Sequence, residues 1–104
     1  MKKIAALGVR EIVLECVPET VGTMAQQIFT QNTDGEGVII GIGAGRNVKG
    51  QVLVFDDVIG KTSEDFQPKF LKRYAKSASV AHEALSAFCT EVRERKFPGE
   101  GNVY

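Results

Sequence analysis

Three apolar runs organise the chain: Ile12-Val13-Leu14 running into Glu15, Val38-Ile39-Ile40 running into glycines at 41, 43 and 45, and Gln51 to Asp57 closing on two acids. Runs that stay apolar instead of alternating are what strands buried on both faces of a parallel sheet look like. Between the first two, Pro18 suits a first helical position, and Val21, Met24, Ala25 and Ile28 fall at i, i+3, i+4 and i+7. That spacing predicts an amphipathic helix whose stripe packs on the sheet. Residues 30 to 37 are polar and glycine-containing and read as a loop, as do residues 60 to 67.

From Pro68 to Ala75 the pattern predicts a short helix with Phe66, Phe70, Leu71 and Tyr74 on one side. A terminal helix is predicted from about Ser79 to Lys96, with Val80, Ala84, Leu85, Phe88 and Val92 as its buried stripe, stopped by Phe97-Pro98-Gly99. Glu100 to Tyr104 reads as a loose tail. Residues 1 to 8 read as the last turns of a helix stopped by Gly8, an odd way to open a domain. The order is strand, helix, strand, strand, helix, helix. Three parallel strands neither close a barrel nor cover a sheet, so the chain reads as part of something larger.

Length and composition narrow the function. The 104 residues fit one domain able to bury roughly 65% of its unfolded surface. Thirteen basic and thirteen acidic residues cancel, so charge gives no reason to expect nucleic acid or an anionic membrane surface as partner. No apolar run approaches the roughly 20 residues of a membrane helix, and the opening segment lacks a signal-peptide core. Two cysteines, Cys16 and Cys89, fit a reducing compartment better than a disulfide framework.

In parallel α/β folds ligands sit at the carboxyl ends of strands. Glu15 is therefore the leading candidate: a partly desolvated carboxylate there suits acid–base work, or alternatively pairs with Lys49 or another cation. Gly41-Ile42-Gly43-Ala44-Gly45 has the look of a phosphate-cradling loop, but Arg46 stands where the dinucleotide fingerprint needs its third glycine. Unusual backbone angles or close approach account better for these glycines. Asp56 and Asp57 would point to opposite faces of a strand, leaving at most one for a metal site. His82 reads as a surface residue, Cys16 as a packed thiol facing away from Glu15, and Lys69, Lys72, Arg73 and Lys76 as a solvated basic face.

The motifs Val13-Leu14-Glu15-Cys16-Val17-Pro18, Ile40-Gly41-Ile42-Gly43-Ala44-Gly45, Gly50-Gln51-Val52-Leu53-Val54, Pro68 to Ala75 and Phe97-Pro98 occur in an order that resembles the carboxyl-terminal part of ketopantoate hydroxymethyltransferases. The resemblance implies an α/β fold, part of a (βα)8 TIM barrel of the phosphoenolpyruvate/pyruvate superfamily type, with residues 1–104 supplying its last three parallel strands and carboxyl-terminal helices. It implies Glu15 as catalytic proton acceptor, and Ile42, Val52 and Val54 as apolar walls for the 2-oxo acid 3-methyl-2-oxobutanoate.

It further implies Mg2+ and 5,10-methylenetetrahydrofolate as the complete enzyme's cofactors, the metal ligands lying on strands absent from this chain. A homo-oligomeric complete enzyme and a cytoplasmic location are expected, with mitochondria the eukaryotic alternative. The chain departs from the family pattern at Asp56, where many members have histidine, and in its last four residues. The isolated chain is expected to be inactive, and the competing reading is a non-catalytic module docking into a full-length homologue through its strand edges.

Overall fold

The computed structural model describes residues 1–62 and 65–104. It forms two compact units, one of Met1–Val54 with Gln67–Leu71 and one of Phe55–Phe66 with Lys72–Tyr104.

The first unit contains α1 (Lys2–Ala6), β1 (Glu11–Glu15), α2 (Glu19–Gln31), β2 (Val38–Ile42) and β3 (Gly50–Gln51). The strands form a parallel sheet in the order β1-β2-β3, with Ile12 opposite Ile39, Glu15 opposite Ile42 and Ile40 opposite Gly50. Because side chains alternate along a strand, this register sorts the sheet into two faces. Ile12, Leu14 and Ile39 pack against helical residues Ala5, Ala25 and Phe29 to make the core, in which Phe29 and Ile39 are fully buried. Val13, Glu15, Ile40, Ile42 and Gly50 share the opposite face, where Val13 is exposed and Ile40 and Ile42 are half-buried.

Strand β3 is much shorter than the predicted 51 to 57. Its ladder to β2 extends only through the Val52 N–H, which donates to Gly41 O at 3.0 Å. As an edge strand it has one partner, and Phe55–Val58 turns instead into a single-turn helix, α3, with Asp56 and Asp57 in its first turn, where the helix dipole favours acids. The predicted stripe of α2 is also rotated. Gly22, Ala25, Gln26 and Phe29 face inward, while Val21 and Met24 are exposed. A side chain at position 22 would collide with the Ala44 carbonyl, so glycine lets the helix approach the sheet's loops. Pro18 serves as N-cap, one position before the helix proper.

Helix α2 runs through Gln31, so the predicted 30–37 loop shrinks to residues 32–37. Buried Thr33 organises it: its hydroxyl donates to Phe29 O at 2.7 Å and accepts from Gly37 N at 2.8 Å. Buried Gln26 clamps the sheet's start, accepting from the N–H groups of Ile39 and Lys49, each at 3.0 Å, and donating to Gly37 O at 3.0 Å and Thr30 Oγ1 at 2.9 Å.

Residues 68–75 do not form the predicted helix. After one turn closed by Leu71 N–H to Pro68 O at 2.9 Å, the Tyr74 N–H is committed to Val58 O at 2.8 Å and not to a residue one helical turn earlier. The connection read at 60–67 includes residues 63 and 64, which lie outside the described residues.

In the second unit the carbonyls just after α3 begin α4 (Ser77–Arg93). Ile59 O and Gly60 O accept from Ser77 N and Ala78 N, each at 3.0 Å, capping amides that no side chain caps. The predicted stripe of α4 is not buried: Val80, Leu85, Phe88 and Val92 are all exposed, and Phe88 meets only the edge of Phe97, with ring centroids 5.3 Å apart, among the described ring pairs. The tail closes with a 3-10 turn at Glu100–Asn102. Among the described residues no helix is long and apolar enough to cross a membrane.

Candidate functional site

The carboxyl ends of β1 and β2 bring the candidate residues together. Glu15 is the last residue of β1, opposite Ile42, on the sheet face that does not pack on the helices. Alternation through the Val52–Gly41 bond puts Val52 on the same side as Ile42, where it is 43% exposed. Glu15 thus has an apolar wall beside it. Val54 lies beyond the strand and is exposed, so it is not held in that wall by sheet pairing.

Glu15 is exposed, not partly desolvated as its position suggested. Its expected partner Lys49 is engaged elsewhere, donating to Gly35 O at 2.8 Å, and among the described residues Glu15 makes no ion pair. Its neighbour is Cys16, whose Sγ lies 3.9 Å from Glu15 Oε1. Cys16 was expected to be packed and to face the other way. It is exposed, and its backbone is left-handed (φ 52°), which breaks strand alternation at this residue. Its N–H still donates to Ile42 O at 2.9 Å, and Val17 N–H to Gly43 O at 3.1 Å, so the two strand ends stay tied.

Just past Glu15 these ends open into a pocket of about 890 Å³. Cys16, Val17 and Glu19 wall it on the β1 side, and Gly43 to Arg46 on the β2 side; Gln51, Lys69 and Phe70 complete it. The glycines are explained by packing. Gly43 is left-handed (φ 61°) and a Cβ there would press on the Phe70 ring at 3.0 Å, while a Cβ at Gly45 (φ 85°) would meet Glu19. Arg46 Nε donates to Glu19 Oε1 at 2.8 Å, and its backbone N–H reaches the same oxygen at 3.3 Å. These hydrogen bonds, the side-chain one foremost, then the guanidinium's charge, hold the Glu19 carboxyl below its ordinary value.

Residues 1–100 match the family described as ketopantoate hydroxymethyltransferase. The chain belongs to the ketopantoate hydroxymethyltransferase family. It is similar to the 3-methyl-2-oxobutanoate hydroxymethyltransferase of Paracoccus denitrificans, 45% identical over 101 residues that cover 97% of this chain and 34% of the relative. The enzyme of the same name from Caldicellulosiruptor saccharolyticus is 44% identical over 99% of this chain and 36% of the relative. That of Sulfurimonas denitrificans is 52% identical over 64% of this chain and 25% of its own. The chain thus spans about a third of the length of the first two relatives. Its three parallel strands and helices are an α/β arrangement consistent with part of a barrel of this family.

The ketopantoate hydroxymethyltransferase resemblance implied magnesium. The acids present do not fit it: Asp56 pairs with Lys61 at 3.5 Å, Asp57 accepts from Thr62 Oγ1 at 2.9 Å, and both sit on α3, not at a strand end. Among the described residues no group of three or more histidines, cysteines and carboxylates is placed to hold a metal ion. The strand pattern pointed to Glu15, and the family resemblance to Glu15, Ile42, Val52 and Val54. Both missed the part that Cys16, Lys69 and Phe70 play in the pocket, because the last two reach it from a segment the pattern read as a helix.

Proposed function

We propose that this chain is the part of a 3-methyl-2-oxobutanoate hydroxymethyltransferase that carries its proton acceptor, Glu15. The observation that supports it best is Glu15 ending β1 opposite Ile42, on the open, apolar face of a sheet in a chain of this family. In this reading the sheet is one arc of a (βα)8 barrel whose other strands would pair with the edges of β1 and β3, and whose interior would be the face carrying Val13, Ile40 and Ile42.

The Glu15 carboxylate takes the proton from C3 of 3-methyl-2-oxobutanoate, leaving an enolate. Ile42 and Val52, with Val54 beyond them, hold the acid's two methyl groups, which prefer apolar walls. Water adds to the methylene carbon of 5,10-methylenetetrahydrofolate, whose two C–N bonds break to release tetrahydrofolate and formaldehyde; the enolate carbon then bonds to the formaldehyde carbon, and the resulting alkoxide takes back the proton held by Glu15. Overall, the 2-oxo acid, the methylene donor and one water give 2-dehydropantoate and tetrahydrofolate, an early step of pantothenate synthesis. An enolate-stabilising Mg2+ belongs, in this reading, to the strands outside this chain. The complete enzyme would work in the cytoplasm as a homo-oligomer.

The test is a chimera in which this chain replaces the matching third of the Paracoccus denitrificans relative. It should restore growth without pantothenate to a bacterium lacking its own enzyme, and Glu15→Gln should abolish the rescue while the protein accumulates normally. Rescue that survives Glu15→Gln would remove Glu15 from the reaction.

A further inference from the structure

Cys16 departs from the strand that leads into it. With extended backbone its side chain would project to the face opposite Glu15, because neighbours along a strand alternate. Its φ of 52° is left-handed instead, a region that strains any residue carrying a Cβ. The ladder does not demand a side chain here. The Cys16 N–H to Ile42 O bond at 2.9 Å and the Val17 N–H to Gly43 O bond at 3.1 Å are backbone bonds that glycine at position 16 would leave intact. Strain held beside a reactive group directs attention to the side chain it displaces.

That side chain meets Glu15. Cys16 Sγ lies 3.9 Å from Glu15 Oε1, a long and weak S–H···O contact. Among the described residues it is the one side-chain hydrogen bond the Glu15 carboxylate receives, and Oε2 receives none. Glu15 is exposed and its side chain is long, so without this contact the carboxylate is free to swing. A base must meet its proton along one line, and a misplacement of about 1 Å can slow a reaction about a hundredfold. A thiol suits the task because it is an uncharged donor: it orients the carboxylate and leaves its charge available. An ammonium or guanidinium in the same place would stabilise the ionised form and weaken the base.

We propose that Cys16 is a positioning residue for the reaction, its left-handed backbone bringing the thiol beside Glu15 so that S–H holds Oε1 and Oε2 is aimed at the C3 proton of the 2-oxo acid. The inference rests on the reading of Glu15 given under Proposed function.

Two readouts test it. The first is deuterium exchange at C3 of 3-methyl-2-oxobutanoate by the chimera. Cys16→Ala should lower kcat about three- to tenfold, the weight of one hydrogen bond, with KM unchanged, and Cys16→Ser, which keeps a donor, should recover most of the loss. Glycine holds a positive φ without strain, so Cys16→Gly should keep its fold by circular dichroism and lose only the thiol; its exchange should fall as in Cys16→Ala. The second readout needs no turnover. In the 104-residue chain, three-bond NMR couplings along the Glu15 side chain should report one dominant rotamer in the parent and in Cys16→Ser, and averaging among rotamers in Cys16→Ala and Cys16→Gly. Full exchange in Cys16→Ala or Cys16→Gly, a serine variant no better than alanine, or couplings indifferent to residue 16 would overturn the proposal while leaving Glu15 as the base. Exchange that survives Glu15→Gln would instead overturn the catalytic reading, and with it any part for Cys16 in the reaction.

Discussion

Replacing Gln26 with leucine should do more damage than its polar character suggests. The side chain is buried, and it bridges the start of β2 to the start of β3 just before their ladder begins at Ile40 and Gly50. Leucine has nearly the same volume but none of the four hydrogen bonds. Two groups would then lie buried without a partner, the Ile39 N–H and the Gly37 carbonyl. The Lys49 N–H and the Thr30 hydroxyl, only partly buried, can turn to water.

Stranding a buried backbone group costs about 1–3 kcal/mol, so the two together cost about 4 kcal/mol by that scale. That is a large share of the roughly 5–15 kcal/mol by which domains are stable. Urea unfolding followed by circular dichroism measures the loss, and amide exchange locates it: protection should collapse first at Ile39 and Lys49. The loop walling the pocket should loosen with them, because Lys49 anchors its far end. Destabilisation below about 1 kcal/mol, or unchanged exchange at both amides, would refute the clamp.

Three further perturbations follow from the same geometry. Gly43→Ala forces a left-handed residue and presses on Phe70; a cost of about 1–2 kcal/mol for the backbone alone should appear as a lower Tm with shifted Phe70 ring resonances, and an unchanged spectrum would contradict the packing. In Arg46→Ala the Glu19 carboxyl should titrate closer to its ordinary value by carbon NMR. Since Arg46 lowers Glu19 in the folded state, the pair's contribution to stability is present above the unfolded carboxylate value and fades as pH falls through the folded one; the variant should therefore lose the parent's extra stability above that window and converge with it in acid. Phe97→Ala removes the ring edge against Phe88 and should cost about 0.5–1.5 kcal/mol beyond lost area, read as faster amide exchange in the last turn of α4; equal exchange would show that the pair does not secure that end.

The sequence made much of this arrangement legible, and its failures have local causes. The first two strands announce themselves by apolar runs, but the register that sets Glu15 opposite Ile42 is not written in either run. The face of α2 was misread because its buried side includes Gly22 and Gln26, which a count of apolar residues passes over: one is buried to let backbone approach, the other because all its hydrogen bonds are made inside. Residues 52–57 look like a strand in composition, yet beyond Val52 the ladder gives way and the paired acids favour a helix start. Residues 68–75 look helical, but the Tyr74 N–H is committed to a distant carbonyl.

Cys16 defeats alternation through a single left-handed φ, which no pattern of residue types reveals. The pocket was out of reach for a related reason. Lys69 and Phe70 arrive there from well beyond the strands that form the rest of its wall. The exposed stripe on α4 shows that an amphipathic pattern records a face suited to burial without naming what covers it.

The most direct test of the central claim is the rate of deuterium exchange at C3 of 3-methyl-2-oxobutanoate, followed by proton NMR in D2O with Mg2+ present and no folate. The account predicts exchange above the metal-only rate in the chimera, a return to that rate in its Glu15→Gln variant, and the metal-only rate for the 104-residue chain alone. Exchange that persists undiminished in Glu15→Gln would contradict it.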